Sequence, residues 1–555
     1  MLSLYKINAS RAVVAGVVSC LFAVSLCVAA PGWSGTQNDL KTRQRAERSL
    51  NDGDFEGAEK IYRAMLVKSA QDHQARLGLS FALLKQRRLQ EAYDQAARVI
   101  TADPLSARAH ALLGSAVLAS GDFRSSVEEF RTALSLKENE ALAIAGLAMV
   151  DFYENRLDSS IKGLRRAVDI DSDEPDYVFN LGQATARSER YKEAADSYER
   201  FLIIAPRTDA DRRSRIRGLI DFLRYLGKQS SLYELRSGNS TSIPFESVDG
   251  RPILKVKVNG GKELLRFVLD TGSGMSVISE ETSKKLGIAA VARGGMARAV
   301  GGGGKFEIVY GFLNLLEVGE VKVERVPVYI RRFYDEKDPV DGYLGLAVIS
   351  RFVALVDYGE NMFTLRRESG GSKKEDSFVF GEGVFSLRRP DVRKETTATK
   401  TQPTDALEIP VRTTSSGFLS GEVVLEGVDR PLNFIIDTGA SITVVSEKLV
   451  QQEDLAGYIQ PTRMRVFGAA GISEDVKRIS LPKVSLGTLV REQVSAAVLD
   501  METLNETTGF TQSGILGGNF LRHYRLSLDF QRGLVRLEPL AKTARKSGAG
   551  GVEDR

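Results

Sequence analysis

The sequence predicts a multidomain chain: an all-α solenoid of helical repeats followed by two all-β lobes built on one duplicated plan. Three observations carry this. Apolar anchors recur at a constant interval through the first part of the chain. After Gly238 the hydrophobic pattern changes from helical spacing to strand-like alternation, and Val, Ile and Gly become abundant. Beyond that point Asp-Thr-Gly occurs twice, at 270–272 and 437–439, with matching landmarks after each copy.

The chain has 555 residues, too many for one core, and its 43% hydrophobic and 27% charged content is that of a globular protein. The start is different. Lys6 and Arg11 precede an apolar run from Ala12 to Ala30 that ends in Val28-Ala29-Ala30. Residues 1–30 therefore read as a secretory signal, with an uncleaved anchor as the other reading, since Pro31 disfavours cleavage just before it. The expected location is periplasmic or extracellular, with a membrane role only for the uncleaved form. Both cysteines, Cys20 and Cys27, lie in this segment, so the rest of the chain offers no disulfide, thiolate metal site or cysteine nucleophile. The net charge of +4 becomes +2 without Lys6 and Arg11, and the basic clusters Arg212-Arg213, Arg331-Arg332 and Lys373-Lys374 are far apart. Nothing points to nucleic acid.

Phe55, Leu89, Phe123, Leu157 and Tyr191 are evenly spaced, several after polar pairs such as Gly53-Asp54 and Gly121-Asp122, where two helices turn. Leu79, Leu113, Leu147 and Leu181 keep the same spacing and mark the preceding helices. Each is followed by a small residue (Ser80, Gly114, Ala148, Gly182) that lets paired helices approach. Over residues 40–206 this period and pattern resemble the tetratricopeptide repeat. Ala96 departs from it where a large aromatic is usual, and Glu138 and Ser172 depart from it where a proline closes the unit. The repeat aromatics read as core. The resemblance implies a concave groove able to hold a peptide or partner protein. Residues 207–241 read as a capping helix and linker.

Residues 242–367 and 417–540 form the two β lobes, joined by a linker over 368–416 and followed by a disordered tail over 541–555. In each lobe a hairpin leads into the Asp-Thr-Gly (Phe267–Ser273, Phe434–Ala440). A glycine-rich turn begins at the same interval after each aspartate, as Gly301, Gly302, Gly303 and Gly304 and as Gly468, Ala469, Ala470 and Gly471. Tyr343-Leu-Gly-Leu346 and Ile515-Leu-Gly-Gly518 follow, and Asp357 and Asp529 stand equally far past the matching glycines, Gly345 and Gly517. Asp357 and Asp529 read as structural strand ends, and Asp338 and Asp341 as surface loop residues.

These landmarks resemble the retropepsin-like aspartic proteases. The resemblance implies that Asp270 and Asp437 face each other as an aspartic endopeptidase dyad, activating a water and protonating the leaving amine of an extended polypeptide. Two carboxyl groups about 3 Å apart cannot both ionise, so one serves as acid while the other serves as base. Thr271 and Thr438 would bond across the lobe interface. Gly272 and Gly439 would present backbone N–H groups where the chain turns sharply beside a carboxylate. The two glycine-rich turns match the family's flaps, which bind substrate by strand pairing. The lobes differ next to the motif, Ser273 against Ala440, and a hydroxyl on Asp270 would lower its pKa, so an asymmetric dyad is expected.

No metal or organic cofactor is expected. Three histidines (His73, His110, His523) give little for a catalytic triad or a metal cluster, and no Gly-Lys-Ser/Thr follows Gly304. The linker lets the lobes fold together as an intramolecular pseudo-dimer, favoured by effective concentration over a homodimer. The alternative from another class is a non-catalytic scaffold, in which repeats recruit partners and protease-like lobes hold peptide.

Overall fold

The computed structural model describes residues 37–229, 231–298, 305–335, 338–367, 406–468, 471–530 and 532–540. The expected signal at 1–30 and the expected tail at 541–555 lie outside the described residues, as does most of the linker.

The first half is α1 (Gln37–Asn51), α2 (Phe55–Lys68), α3 (His73–Lys85), α4 (Leu89–Ala102), α5 (Ala107–Ser120), α6 (Phe123–Leu136), α7 (Ala141–Tyr153), α8 (Leu157–Ile170), α9 (Pro175–Arg187), α10 (Tyr191–Ile204) and α11 (Ala210–Leu226). Each periodic anchor is the first residue of an even-numbered helix. The polar residue before it can cap the helix: the Asp54 and Asp122 side chains accept from the N–H groups of Gly57 and Ser125. The small residues fit as expected. A Cβ on Gly182 would stand 2.8 Å from the Tyr198 ring, and one on Gly114 would stand 2.9 Å from Phe130.

The array curls until its ends meet. The Thr208 hydroxyl donates to the Asp52 carbonyl (3.2 Å). Lys85, ending α3, reaches Glu174 and Asp176 at the start of α9, both at 2.6 Å, and Arg212 of α11 also binds Asp176 at 2.8 Å. Burial alone would lower the Lys85 pKa, but Asp176 and Glu174 outweigh it and hold the ammonium charged. The array's own ion pairs thus tie its second repeat to its fifth.

Lobe 1 comprises β1 (Glu234–Ser237), β2 (Ser240–Pro244), β3 (Glu246–Val248), β4 (Arg251–Val258), β5 (Leu265–Leu269), β6 (Ser276–Ser279), β7 (Ala292–Arg298), β8 (Lys305–Val318), β9 (Val321–Arg331), β10 (Gly342–Leu344), β11 (Val353–Asp357) and β12 (Met362–Arg366). Lobe 2 comprises β13 (Leu407–Pro410), β14 (Arg412–Thr413), β15 (Leu419–Leu425), β16 (Leu432–Ile436), β17 (Thr443–Ser446), β18 (Ile459–Gly468), β19 (Gly471–Leu486), β20 (Leu489–Leu499), β21 (Gly514–Leu516), β22 (Tyr524–Asp529) and β23 (Leu534–Pro539). In lobe 1 the order β4-β5-β10-β6-β9-β8 closes on itself, because β8 also pairs with β4. Lobe 2 repeats this circuit as β15-β16-β21-β17-β20-β19. Closure removes the sheet edges and encloses a core led by Phe267 in one lobe and Phe434 in the other, both fully buried.

A separate sheet, β13-β23-β22-β11-β12-β2, takes strands from both lobes and joins them through β11 and β22. Asp357 sits at this seam and binds Arg525 of the other lobe at 2.6 Å. The lobes therefore pair within one chain.

Two boundaries and one pair of residue roles differ from the sequence reading. Strand β1 pairs with β9, so residues read as linker belong to the lobe 1 sheet. Strands β13 and β14 likewise place the end of the second linker in lobe 2. Asp338 and Asp341 are not plain surface residues. Asp341 accepts from the Thr282 hydroxyl (2.7 Å) and the Arg266 N–H (2.8 Å), while Asp338 binds the Arg266 guanidinium (2.8 Å). Both stabilise the loop that leads into β10.

Candidate active site

Each Asp-Thr-Gly leaves the end of a buried strand, β5 or β16, and both are held in the same way. The Asp270 N–H donates to the Leu344 carbonyl (3.0 Å) and the Asp437 N–H to the Leu516 carbonyl (3.1 Å). Strand β10 or β21, inserted parallel to the aspartate strand, thus fixes where each carboxyl group begins.

The threonines lock the lobes together. The Thr271 hydroxyl donates to the Ile436 carbonyl (2.7 Å) and the Thr438 hydroxyl to the Leu269 carbonyl (2.6 Å). Each hydroxyl also accepts the opposite threonine's N–H, at 3.0 and 3.2 Å. Both threonines are fully buried, so no water competes for these bonds.

The glycines then bring the carboxyl groups to the interface. A Cβ on Gly272 would stand 2.3 Å from Asp437 Cγ, and one on Gly439 would stand 2.7 Å from an Asp270 oxygen. Each glycine N–H donates to the aspartate of its own loop, at 2.9 and 2.7 Å. The two carboxyl groups lie close enough that each shifts the other's ionisation.

Burial is the largest influence on both aspartates and raises both pKa values. For Asp270 the neighbouring Asp437 carboxyl pushes further upward, and the Gly272 N–H and then Arg331 only partly offset it. For Asp437 the Gly439 N–H, the Asp270 carboxyl and then the Ala440 and Gly272 N–H groups pull downward. The pair therefore holds a proton above the ordinary carboxylate range.

The asymmetry has a different source from the one expected. The Ser273 hydroxyl donates to the Met275 carbonyl (2.7 Å), leaving Asp270 without its help. In lobe 2 the Ala440 N–H reaches Asp437 at 3.1 Å. A backbone donor in the alanine lobe thus does what was assigned to a side chain in the serine lobe.

The glycine-rich turns divide. Residues 301–304 and Ala469-Ala470 lie outside the described residues. Gly468 and Gly471 face each other at the end of the β18–β19 hairpin, and β7 and β8 form the corresponding hairpin in lobe 1.

Two features escaped the sequence reading. Buried Ser276 and Thr443, at the same place in the two lobes, accept the N–H groups of Gly345 and Gly517 (3.0 and 3.3 Å), tying β6 and β17 to the turns after β10 and β21. Arg331 pairs in register with Ser279, where lobe 2 sets Leu499 against Ser446, so only lobe 1 carries a guanidinium there. A Ser or Thr at the same offset after each aspartate was a readable signal for the first feature. No local pattern marked the second.

Comparison with known proteins agrees with this architecture. An aspartyl protease family model matches residues 254–348 and 422–520, one copy per lobe. Tetratricopeptide repeat models match 49–116 and 145–208. The chain is a tetratricopeptide array joined to two retropepsin-like aspartyl protease lobes. No curated protein matches it. Among solved structures, a thermophilic tetratricopeptide protein of Thermus thermophilus is 17% identical, covering 34% of this chain and 98% of that one with a TM-score of 0.29. MamA of Desulfovibrio magneticus RS-1 is 19% identical, covering 32% and 98% respectively with a TM-score of 0.23.

Proposed function

We propose that the chain is an aspartic endopeptidase that hydrolyses extended polypeptides through Asp270 and Asp437. One observation carries this: two partly buried carboxyl groups, each set against the other lobe's glycine, meet at the centre of a reciprocal threonine lattice. A binding scaffold needs no such pair, because burying two carboxyls against each other destabilises the fold. Asp437, ionised, takes a proton from water as the water attacks the scissile carbonyl carbon. Asp270, protonated, hydrogen-bonds the carbonyl oxygen. Collapse of the tetrahedral adduct breaks the C–N bond as a proton passes to the leaving amine.

The apolar run from Ala12 to Ala30, preceded by Lys6 and Arg11, supports export to the periplasm or beyond. The repeats have the capacity to bind protein and are proposed to recruit a partner or substrate.

The test is cleavage of labelled, unfolded casein by the chain lacking residues 1–30. Asp270→Asn and Asp437→Asn should each lower kcat by about 10²–10⁴-fold. Undiminished cleavage by either variant would rule out the dyad. The pH profile should be bell-shaped, falling on the acid side as Asp437 is protonated and on the alkaline side as Asp270 loses its proton. Since both pKa values are raised, both limbs should lie above the ordinary 3.8.

A further inference from the structure

Helix α11 ends the repeat array on the lobe 1 hairpin. A Cβ on Gly218 would stand 2.0 Å from the Arg293 carbonyl oxygen and 2.1 Å from the Gly294 Cα. Gly295 takes the left-handed φ of +52°, and a Cβ there would come within 2.8 Å of the Ser214 backbone. Between Arg293 and Met296 strand β7 slips register against β8, so these two glycines form a bulge seated on the helix. One turn along α11, Phe222 stacks on Tyr310 of β8 with centroids 4.2 Å apart, and Tyr225 meets Phe312 edge-on at 5.6 Å. Both strands of the hairpin therefore rest on one helix. Among the described residues no array helix packs comparably on β18 and β19, and Phe467 and Ile472 near the end of that hairpin are 39% and 40% exposed.

The other side of the array is fixed to lobe 2. The Thr511 N–H donates to the Ala119 carbonyl (2.9 Å), and Asn433 donates to the Gly121 carbonyl (3.2 Å). Phe123 meets Phe510 edge-on at 4.9 Å. Arg187, stacked 3.7 Å over Phe152, donates to the carbonyls of Thr413, Thr414 and Ser415. With its ends tied by Lys85 and Thr208, the array spans from lobe 2 to the hairpin of lobe 1.

We propose that the repeat array is a strut of the catalytic unit, in which Gly218 and Phe222 of α11 are positioning residues that hold the lobe 1 hairpin at the distance from lobe 2 an extended substrate needs. This rests on the hydrolytic reading above, and it predicts an effect on substrate binding separate from the chemistry. The threonine lattice that fixes the dyad is built wholly from the two Asp-Thr-Gly loops and the strands before them, and α11 contributes nothing to it.

The experiment uses the full chain with Gly218→Val, which wedges helix from strand, and Phe222→Ala, which removes the stacking partner without a wedge. On labelled casein each should raise KM about tenfold and keep kcat within about twofold, the pattern of lost binding rather than lost chemistry. Phe222→Tyr, which keeps the ring, should hold KM near the parent value. A second arm places both changes in an Asp437→Asn background and measures casein binding by fluorescence anisotropy, where a matching rise in Kd is expected. That arm needs no turnover. Weakened binding there with no cleavage by the parent chain would sink the hydrolytic reading and leave the strut standing. Unchanged KM and Kd in both variants, or a fall in kcat at constant KM, would overturn the strut. If Gly218→Val does not fold, Phe222→Ala decides by the same criteria.

Discussion

The two lobes share a backbone plan and differ in what surrounds it. Both close the same strand circuit, both insert a strand beside the aspartate, and both offer one threonine to the other. Lobe 1 adds Arg331 near its aspartate, Tyr343 where lobe 2 has Ile515, and a helix behind its hairpin. Ile515 packs in an apolar cluster with Leu499, Met464 and Val466. Tyr343 instead meets Phe333 edge-on at 5.1 Å, and its hydroxyl is pushed up to about 12 by burial and then by the Asp270 charge. The common parts are those that build the dyad. The divergent parts are free to give its two carboxyls, and the two sides of the cleft, different properties.

The shared parts should respond in pairs. The largest loss is expected from Gly272→Ala and Gly439→Ala, because each new methyl would land on the opposite carboxyl group. Displacing a catalytic atom by about 1 Å costs about a hundredfold, so kcat should fall at least that far in both. Gly272→Ala should be the worse, since its Cβ would approach to 2.3 Å against 2.7 Å. Similar kcat values for either variant and the parent would break the symmetry argument at its centre. A smaller, matched effect is expected from Thr271→Val and Thr438→Val. Each leaves a buried carbonyl and a buried N–H of the opposite loop without a partner, costing about 1–3 kcal/mol of stability apiece. Urea unfolding of the two variants should give the same loss. A clear inequality would show that the lattice leans on one lobe.

The parts legible in the sequence were those written as local pattern. The evenly spaced anchors fell on helix starts, because an apolar residue after a capping turn is a property of a few adjacent positions. The Asp-Thr-Gly copies and the glycines after them marked corresponding points of two lobes for the same reason. What stayed hidden depends on distant pairs. Thr271 donates to a carbonyl 165 residues away, and nothing near either residue names the other. The Ser273 hydroxyl was expected on Asp270, and its loop turns it to the Met275 carbonyl instead. The bulge at Gly294-Gly295 was not read from the sequence, and only the fold shows that it seats a helix from the array. The linker estimates ran long at their ends because short edge strands such as β1 and β13 owe their structure to partners far along the chain.

The smallest expected effect probes the divergent parts. Arg331 favours the ionised form of Asp270 and so opposes the rise that burial and Asp437 impose. Arg331→Leu would give lobe 1 the residue type that Leu499 provides in lobe 2. With the guanidinium gone, Asp270 holds its proton to higher pH, and the alkaline limb of the kcat profile should move upward. The acid limb reports Asp437, whose pKa is set chiefly by burial and by its own loop's N–H groups, and it should stay nearly in place. The profile should therefore broaden on one side only. Leu499→Arg tests the converse, because a cation on the Asp437 side favours ionisation there and should draw the acid limb to lower pH. If both limbs move together in either variant, the carboxyls titrate as one unit that senses total charge, and the difference between the lobes does not reach the dyad.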